Sequence, residues 1–417
     1  MTALPSNSRI DYLDAVRAFA LLLGIVFHAS LSFMPSFIGW AVMDINTSSL
    51  VPIFLLISHS FRMELFFLIA GFFSHMTFYK KGTSAFLKSR ATRIVLPFVV
   101  AWFILRPLLV SGWVMGTESM RGEVDIWNGL SQGFQTLKAL PAGIFTGSHL
   151  WFLYYLVLVT VTTLVVKKLL ALAPSAQNWL GATVDRIIQW VANTSSSAAI
   201  LAIPTAFCLW RMSQWGMDTP DKSLIPHLPT FLVYLGCFSF GWLLHRQPEL
   251  LTNLSQLTPT RIINLFASIG FTIYLSGFQA NPSFEYIAEA RAAFCFSYGV
   301  MMWSLVFVSI GLFRVVIRKQ NAIVRYVADA SYWLYLIHLP IVVWLQIAFA
   351  ELQLNWFMKL AAISGITIAF SLLTYDLFVR STFIGKTLNG ARKRRAIFAR
   401  GGSETSSSKK TQELHTA

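Results

Sequence analysis

Charge is scarce in this chain and unevenly placed. Only 12% of its 417 residues are Asp, Glu, Lys or Arg, against 55% hydrophobic and 15% aromatic, with a mean hydropathy of +0.60. A soluble domain carries roughly 25% charged residues, so the composition excludes one. Cysteine is rare as well. Cys208, Cys237 and Cys295 fall in apolar runs, at no metal-ligand spacing and in no disulfide framework, so three buried thiols and no metal are expected. There is no Gly-rich phosphate loop, serine elbow or zinc motif, which argues against nucleotide hydrolysis as an energy source. A cleavable leader is not expected either. The first apolar run is too long for a signal h-region and no small-residue cleavage site follows it, so it should remain as a helix.

What is present is a series of long apolar runs. A hydrocarbon core takes about 20 helical residues, and ten such spans are expected, at roughly 13–34, 51–77, 94–114, 148–170, 197–215, 228–245, 261–279, 292–313, 328–349 and 356–379. The predicted class is an all-α polytopic membrane protein. Residues 1–385 would form the membrane-embedded domain, and 386–417, basic then polar, a disordered tail. In 176–192 the apolar positions Leu180, Val184, Ile187, Ile188 and Val191 suit a helix lying along the membrane surface.

The formal charge of +15 reads as a topology signal rather than a nucleic-acid footprint. Lys80, Lys81, Lys88, Arg90 and Arg93 follow span two, Lys167, Lys168 and Arg186 follow span four, and Arg314, Arg318, Lys319 and Arg325 precede span nine. Arg392, Lys393, Arg394 and Arg395 follow span ten. The alternate loops carry Asp44, Glu118, Glu123, Asp125, Asp218, Asp221, Glu285 and Glu351. By the positive-inside rule both termini are expected in the cytoplasm.

Ionisable groups inside a span are costly and mark function. Arg17 and His28 share the first span, eleven residues apart, a rise of about 16 Å with roughly 20° of rotation, so they point from one face. A cation near the start and an imidazole at depth suit an anionic molecule docking while a proton moves further in. Given the topology, His59, Arg62 and Glu64 in span two, His149 and Trp151 at the head of span four, and His338 in span nine fall at depths close to that of His28. Pro340 is expected to bend span nine beside His338. Residues two apart on a helix point different ways, so Arg62 is expected to find its anion elsewhere than Glu64.

At these residues the chain resembles the integral-membrane acyltransferase 3 family. The likeness rests on the Arg17 to His28 spacing, FFLIAGFF closing span two, RATRIVLPF opening span three, SHLWFL opening span four and SYWLYLIHLP in span nine, five motifs in order on a ten-helix frame. Ala70 departs from the Ser usual before Gly71. HSFRMELFFLIAGFFSHMTF and LLGIVFH are most similar to members that succinylate osmoregulated periplasmic glucans. The resemblance implies acyl transfer, with succinyl the expected group, from a cytoplasmic acyl-CoA to glycan hydroxyls outside, in the bacterial inner membrane. It also implies His28 as the catalytic histidine and Arg17 as its motif partner. No permanently bound cofactor is implied; acyl-CoA is a co-substrate.

The residues suit that chemistry. An imidazole takes a proton from a hydroxyl and returns it near neutral pH, and guanidinium groups fork onto phosphate oxygens. Arg90 and Arg93 are therefore expected to hold the donor with Arg62, which would meet the free carboxylate of a succinyl group. His59, His149, Tyr335 and His338 are candidate oxyanion or acceptor contacts, and Trp151 a surface for a sugar ring. Two alternatives fit the same residues: an O-acetyltransferase of lipopolysaccharide or another surface polysaccharide, and a glycan transporter or flippase. Inverted repeats would favour the transporter, and none is evident.

Overall fold

The computed structural model describes residues 11–119, 122–138, 148–220, 223–319 and 321–396, and among them there is no strand. Ten apolar helices carry the fold: α1 (Asp11–Phe33), α2 (Leu50–Lys81), α3 (Thr83–Ser119), α4 (Ser148–Leu170), α5 (Ser197–Trp210), α6 (Leu228–Leu244), α7 (Pro259–Ala280), α8 (Ile287–Val316), α9 (Ala322–Phe349) and α10 (Trp356–Val379). All ten expected spans have a helix in place. Eight are long and apolar enough to cross a membrane, while α5 and α6 are shorter. At about 1.5 Å per residue, the 14 residues of α5 reach roughly 21 Å, short of a ~30 Å hydrocarbon core. The expected continuation of α5 to residue 215 fails because the Asp218 carboxylate accepts from the backbone N–H groups of Ser213 and Gln214, at 2.8 and 3.2 Å, folding the chain into a turn.

α1 is the axis of the bundle and packs against α2, α8, α9 and α10. Such burial fits its sequence, since Asp14 is the only acid within it after Asp11 and most of its remaining length is Ala, Leu, Val, Ile and Phe. α2 and α6 meet at backbone level. A Cβ at Gly71 would stand 1.9 Å from the Phe238 carbonyl oxygen, and one at Gly241 would stand 1.9 Å from that of Leu68. Without a hydrophobic drive between helices in lipid, such small-residue contacts supply the packing.

Two helices are irregular where function is expected. α3 loosens into a π-turn at Ala91–Val95, which carries Arg93 and follows Arg90 directly; π-turns recur at functional sites. α9 carries Pro340 well inside its length.

The segment Pro174–Asn193 is a helix, as its periodicity predicts, with Ile188 and Val191 buried and Leu180 and Ile187 exposed. Cys237 and Cys295 are buried, but Cys208 is only half-buried, because α5 presents that part of its surface outward. At the other end of the chain the ordered structure continues past residue 385. The helix Phe383–Asn389 leads to Lys393, whose ammonium pairs with Asp329 of α9, and to Ala396, whose N–H donates to Asp376 at 2.8 Å. Residues 397–417 of the expected tail, and Asp221 among the expected loop acids, lie outside the described residues.

Candidate active site

A cavity of about 700 Å³ runs through the bundle between α1, α2, α3, α4 and α9, and every candidate residue drawn from the sequence lines it: Arg17, His28, His59, Arg62, Arg90, Arg93, His149, Trp151, Tyr335 and His338. They sort into two groups. Arg17, Arg90 and Arg93 lie at one end with Asp14, Asp329, Tyr332 and Asn389, while the histidines gather at the other with Arg62, Trp40 and Thr219.

At the arginine end, the helix ladders hold each cation in place. Arg17 pairs with Asp14 one turn earlier at 3.2 Å and donates to the Ala328 carbonyl of α9 at 3.3 Å. Arg90 donates to Ser74 Oγ of α2 at 2.6 Å and lies over the Phe86 ring, 4.9 Å from its centroid. The Arg93 carbonyl accepts the Tyr332 hydroxyl at 2.6 Å, tying the π-turn of α3 to α9. Among these contacts only Arg17 meets a carboxylate, so Arg90 remains available to an anion.

At the histidine end the rings form a chain. His338 stands 5.3 Å from His28 and 5.5 Å from His149, centroid to centroid. His338 Nδ1 lies 2.8 Å from the Tyr335 carbonyl and 3.2 Å from that of Leu334. A carbonyl only accepts, so Nδ1 carries the proton and Nε2 is left as an acceptor in the neutral ring. The same logic puts the proton of His149 on Nε2, which donates to the Leu336 carbonyl at 2.9 Å. His149 is entered through Ser148, whose φ of 47° is uncommon for a residue with a side chain and is the kind of backbone tension that collects at functional sites. Tyr335 donates to the His149 carbonyl at 2.8 Å, and His59 Nε2 lies 3.0 Å from Thr219 Oγ1. His28 differs from the others. Its Nδ1 is buried and has no hydrogen-bond partner among the described residues, a costly state that structure alone does not reward.

The sequence reading missed what surrounds His28. Trp40, in the α1–α2 loop, lines the cavity and lies nearly parallel to the imidazole, at 18° and 5.9 Å. Its indole N–H donates to Gln346 Oε1 of α9 at 2.9 Å. The amide of the same glutamine donates to the carbonyls of His28 and Ala29 at 3.0 and 3.1 Å. One buried side chain thus fixes both the histidine's backbone and the ring above it. The loop is anchored again by Asp44, whose carboxylate lies 2.6 Å from Lys359 Nζ of α10 with both side chains almost fully buried; burial pushes the Asp44 carboxyl above its usual range against the pull of that ammonium. A lysine within an apolar span was a readable signal for this pair. Trp40 and Gln346 carried none, because nothing in their neighbourhoods is unusual for a membrane protein.

The arrangement is a cavity with three arginines at one end and a cluster of imidazoles beside Arg62 at the other. Among the described residues no three His, Cys, Asp or Glu side chains come together to hold a metal ion.

Comparison with known proteins gives the chain's relatives. The profile of a family described as an acyltransferase domain matches residues 10–376. The protein called glucans biosynthesis protein C from Escherichia coli strain K12 is 28% identical over 386 residues, covering 91% of this chain and 94% of its own. Its counterpart from Escherichia coli O17:K52:H18 matches at the same identity and coverage. No solved structure matches.

Proposed function

Because the chain belongs to the acyltransferase-domain family, matched from residue 10 to residue 376, we propose that it transfers an acyl group, succinyl, from cytoplasmic acyl-CoA to hydroxyls of a periplasmic glucan, with both termini in the cytoplasm and the bundle in the bacterial inner membrane. The observation that carries the reading is the cavity itself. Arg17, Arg90, Arg93 and His28 all line it, so a donor anchored by its phosphates at one end has a route for its thioester arm to the imidazole at the other. The basic loops lie on the arginine side, which supports a cytoplasmic donor. The glucan reading follows the name of the E. coli relatives.

In this reading Arg90 and Arg93 fork onto the phosphates of the CoA head. Arg17, held by Asp14, steadies the inner end of α1. At the far end His28 takes the proton of the acceptor hydroxyl as its oxygen attacks the thioester carbonyl. The C–S bond breaks as the C–O bond forms, and the proton passes from His28 to the departing sulfur, giving CoA thiol and the ester. His149, His338 and Tyr335 border the reacting carbonyl, but their donors are taken by the Leu336, Tyr335 and His149 carbonyls, so the oxyanion role expected of them is not available in this arrangement. Trp40 and Trp151, both on the cavity wall, offer faces on which a sugar ring stacks.

The experiment uses the purified protein in sealed vesicles with acyl-CoA supplied on one side and neutral glucan on the other, read by mass spectrometry of the glucan. Ester formation on the glucan supports the reading. Passage of unmodified glucan without acylation supports a transporter and overturns it.

A further inference from the structure

Arg62 is a buried cation with no ion pair among the described residues. It is 6% exposed and lines the cavity at the histidine end, and its Nε and Nη1 have no hydrogen-bond partner among the described residues. The nearest acid in sequence, Glu64, does not serve. Its side chain is fully buried, both its oxygens are likewise without partners among the described residues, and it does not line the cavity. Two residues on a helix are separated by about 200°, which takes the carboxylate to a different side of α2. The contact Arg62 does make is with Phe27, whose ring centroid lies 4.5 Å from the guanidinium carbon. A cation–π contact eases burial but brings no negative charge.

A guanidinium keeps its proton at any ordinary pH, and a buried charge without a hydrogen-bonded ion partner is costly, a cost that a bound anion relieves. The rest of the cavity narrows what that partner is. The donor phosphates belong at Arg90, which is bonded to Ser74. Ser74 stands twelve residues from Arg62 on the same helix, a rise of about 18 Å, so a phosphate held there is not the anion at Arg62. The rings of Phe27 and His59 stack 5.5 Å apart beside it, and His28 adjoins Phe27 edge-on at 5.3 Å, so Arg62 sits within the region where the acyl carbon reacts. Space for the guanidinium is made by Gly24 of α1, where a Cβ would stand 3.1 Å from Arg62 Nη1.

We infer that Arg62 is the specificity-determining residue for the acyl group, pairing with a second carboxylate at the far end of a dicarboxylic acyl chain. The inference rests on the acyl-transfer reading above. A monocarboxylic acyl group such as acetyl leaves the cation unpaired and is selected against, as buried polar groups generally reject a ligand that lacks their partner.

The test measures kcat/KM with succinyl-CoA and with acetyl-CoA, on a neutral glucan, for wild type, Arg62→Gln, Arg62→Lys and Gly24→Ala in vesicles. The neutral acceptor ensures that the only carboxylate offered is the one on the donor. In Arg62→Gln the succinyl-to-acetyl ratio is expected to fall by at least about tenfold, and in Arg62→Lys by less, because an ammonium keeps the charge. Gly24→Ala, which keeps the guanidinium but displaces it, is expected to lower the ratio several-fold. A ratio unchanged in Arg62→Gln, or in Gly24→Ala should the glutamine variant not fold, overturns the assignment while leaving acyl transfer standing. Absence of transfer from either donor by the wild type overturns the acyl-transfer reading and this assignment with it.

Discussion

His149 occupies the hydrogen-bond vacancy that Pro340 creates. Proline has no N–H, so Leu336, four residues earlier in α9, has a carbonyl without its helical donor. His149 Nε2 fills that place from α4, at 2.9 Å. The proline therefore sets the tautomer of a histidine on another helix, and one missing backbone donor shapes the polarity of the cavity wall.

Pro340→Ala restores the donor and evicts His149. The expected result is a thermal midpoint held or raised, since proline inside a helix is about 3 kcal/mol less favourable than alanine, together with at least a roughly tenfold loss of acyl transfer. Thermal unfolding in detergent beside the glucan assay checks the split. A parallel fall in both would mean the proline serves the fold alone.

His28→Ala is expected to lower acyl transfer by about 10²–10⁴-fold, the range supplied by a positioned acid–base group, with normal abundance in the membrane. His28→Gln should be as inactive, because an amide hydrogen-bonds but does not accept the proton. Near-normal glucan esterification in either variant removes His28 from the mechanism.

Gln346→Leu strips the donors from the His28 and Ala29 carbonyls and the acceptor from Trp40. An unmet buried polar group costs about 1–3 kcal/mol, so the variant is expected to be less stable and to lose activity mainly through kcat, as the imidazole shifts. Trp40→Phe keeps the ring and removes only the indole donor, and a loss of about 1 kcal/mol is expected. Kinetics and thermal shift on the two variants separate the roles.

Removing one partner of the Asp44–Lys359 pair leaves a buried charge alone, at a cost of about 3–5 kcal/mol, whereas replacing both with apolar residues is often neutral. Lys359→Met is thus expected to unfold at lower temperature than wild type, and the Asp44→Leu, Lys359→Met double variant to recover much of the loss. Additive losses in the double variant would show that the two side chains do not act together.

Arg90→Gln is expected to raise KM for acyl-CoA with a smaller change in kcat, and to weaken the dependence of KM on salt, as the loss of a phosphate contact should. Ser74→Ala, which frees the guanidinium without removing it, is expected to have the same direction of effect at a few-fold level.

The residues most legible in the sequence were those that do not belong in an apolar run. A charge or imidazole in a span stands out whatever its neighbours are, and for that reason Arg17, His28, Arg62, His149 and His338 could be named before their cavity was known. Trp40 and Gln346 could not. Their meaning lies in contacts across 306 and 318 positions of chain, and neither residue type is rare where it occurs. Pro340 stood out in the sequence as a missing backbone donor, but the histidine it serves did not. The spans themselves followed from hydropathy, apart from the start of α3, which reaches back to Thr83, and the end of α5, where one acid, Asp218, folds the chain through a local turn that an apolar-run argument does not weigh.

The contact between α2 and α6 has a bearing on how substrates get in and out. With Gly71 and Gly241 each against the other helix's carbonyls, that side of the chamber has no slack: sliding either helix brings backbone into backbone. It behaves as a fixed jamb. On the other side a proline interrupts the helix ladder of α9, and the Trp40 loop is fastened to α9 and α10 at a few polar points. A crosslink across α2 and α6 should cost the enzyme little, and one pinning that loop to α9 should stop turnover with the active site intact.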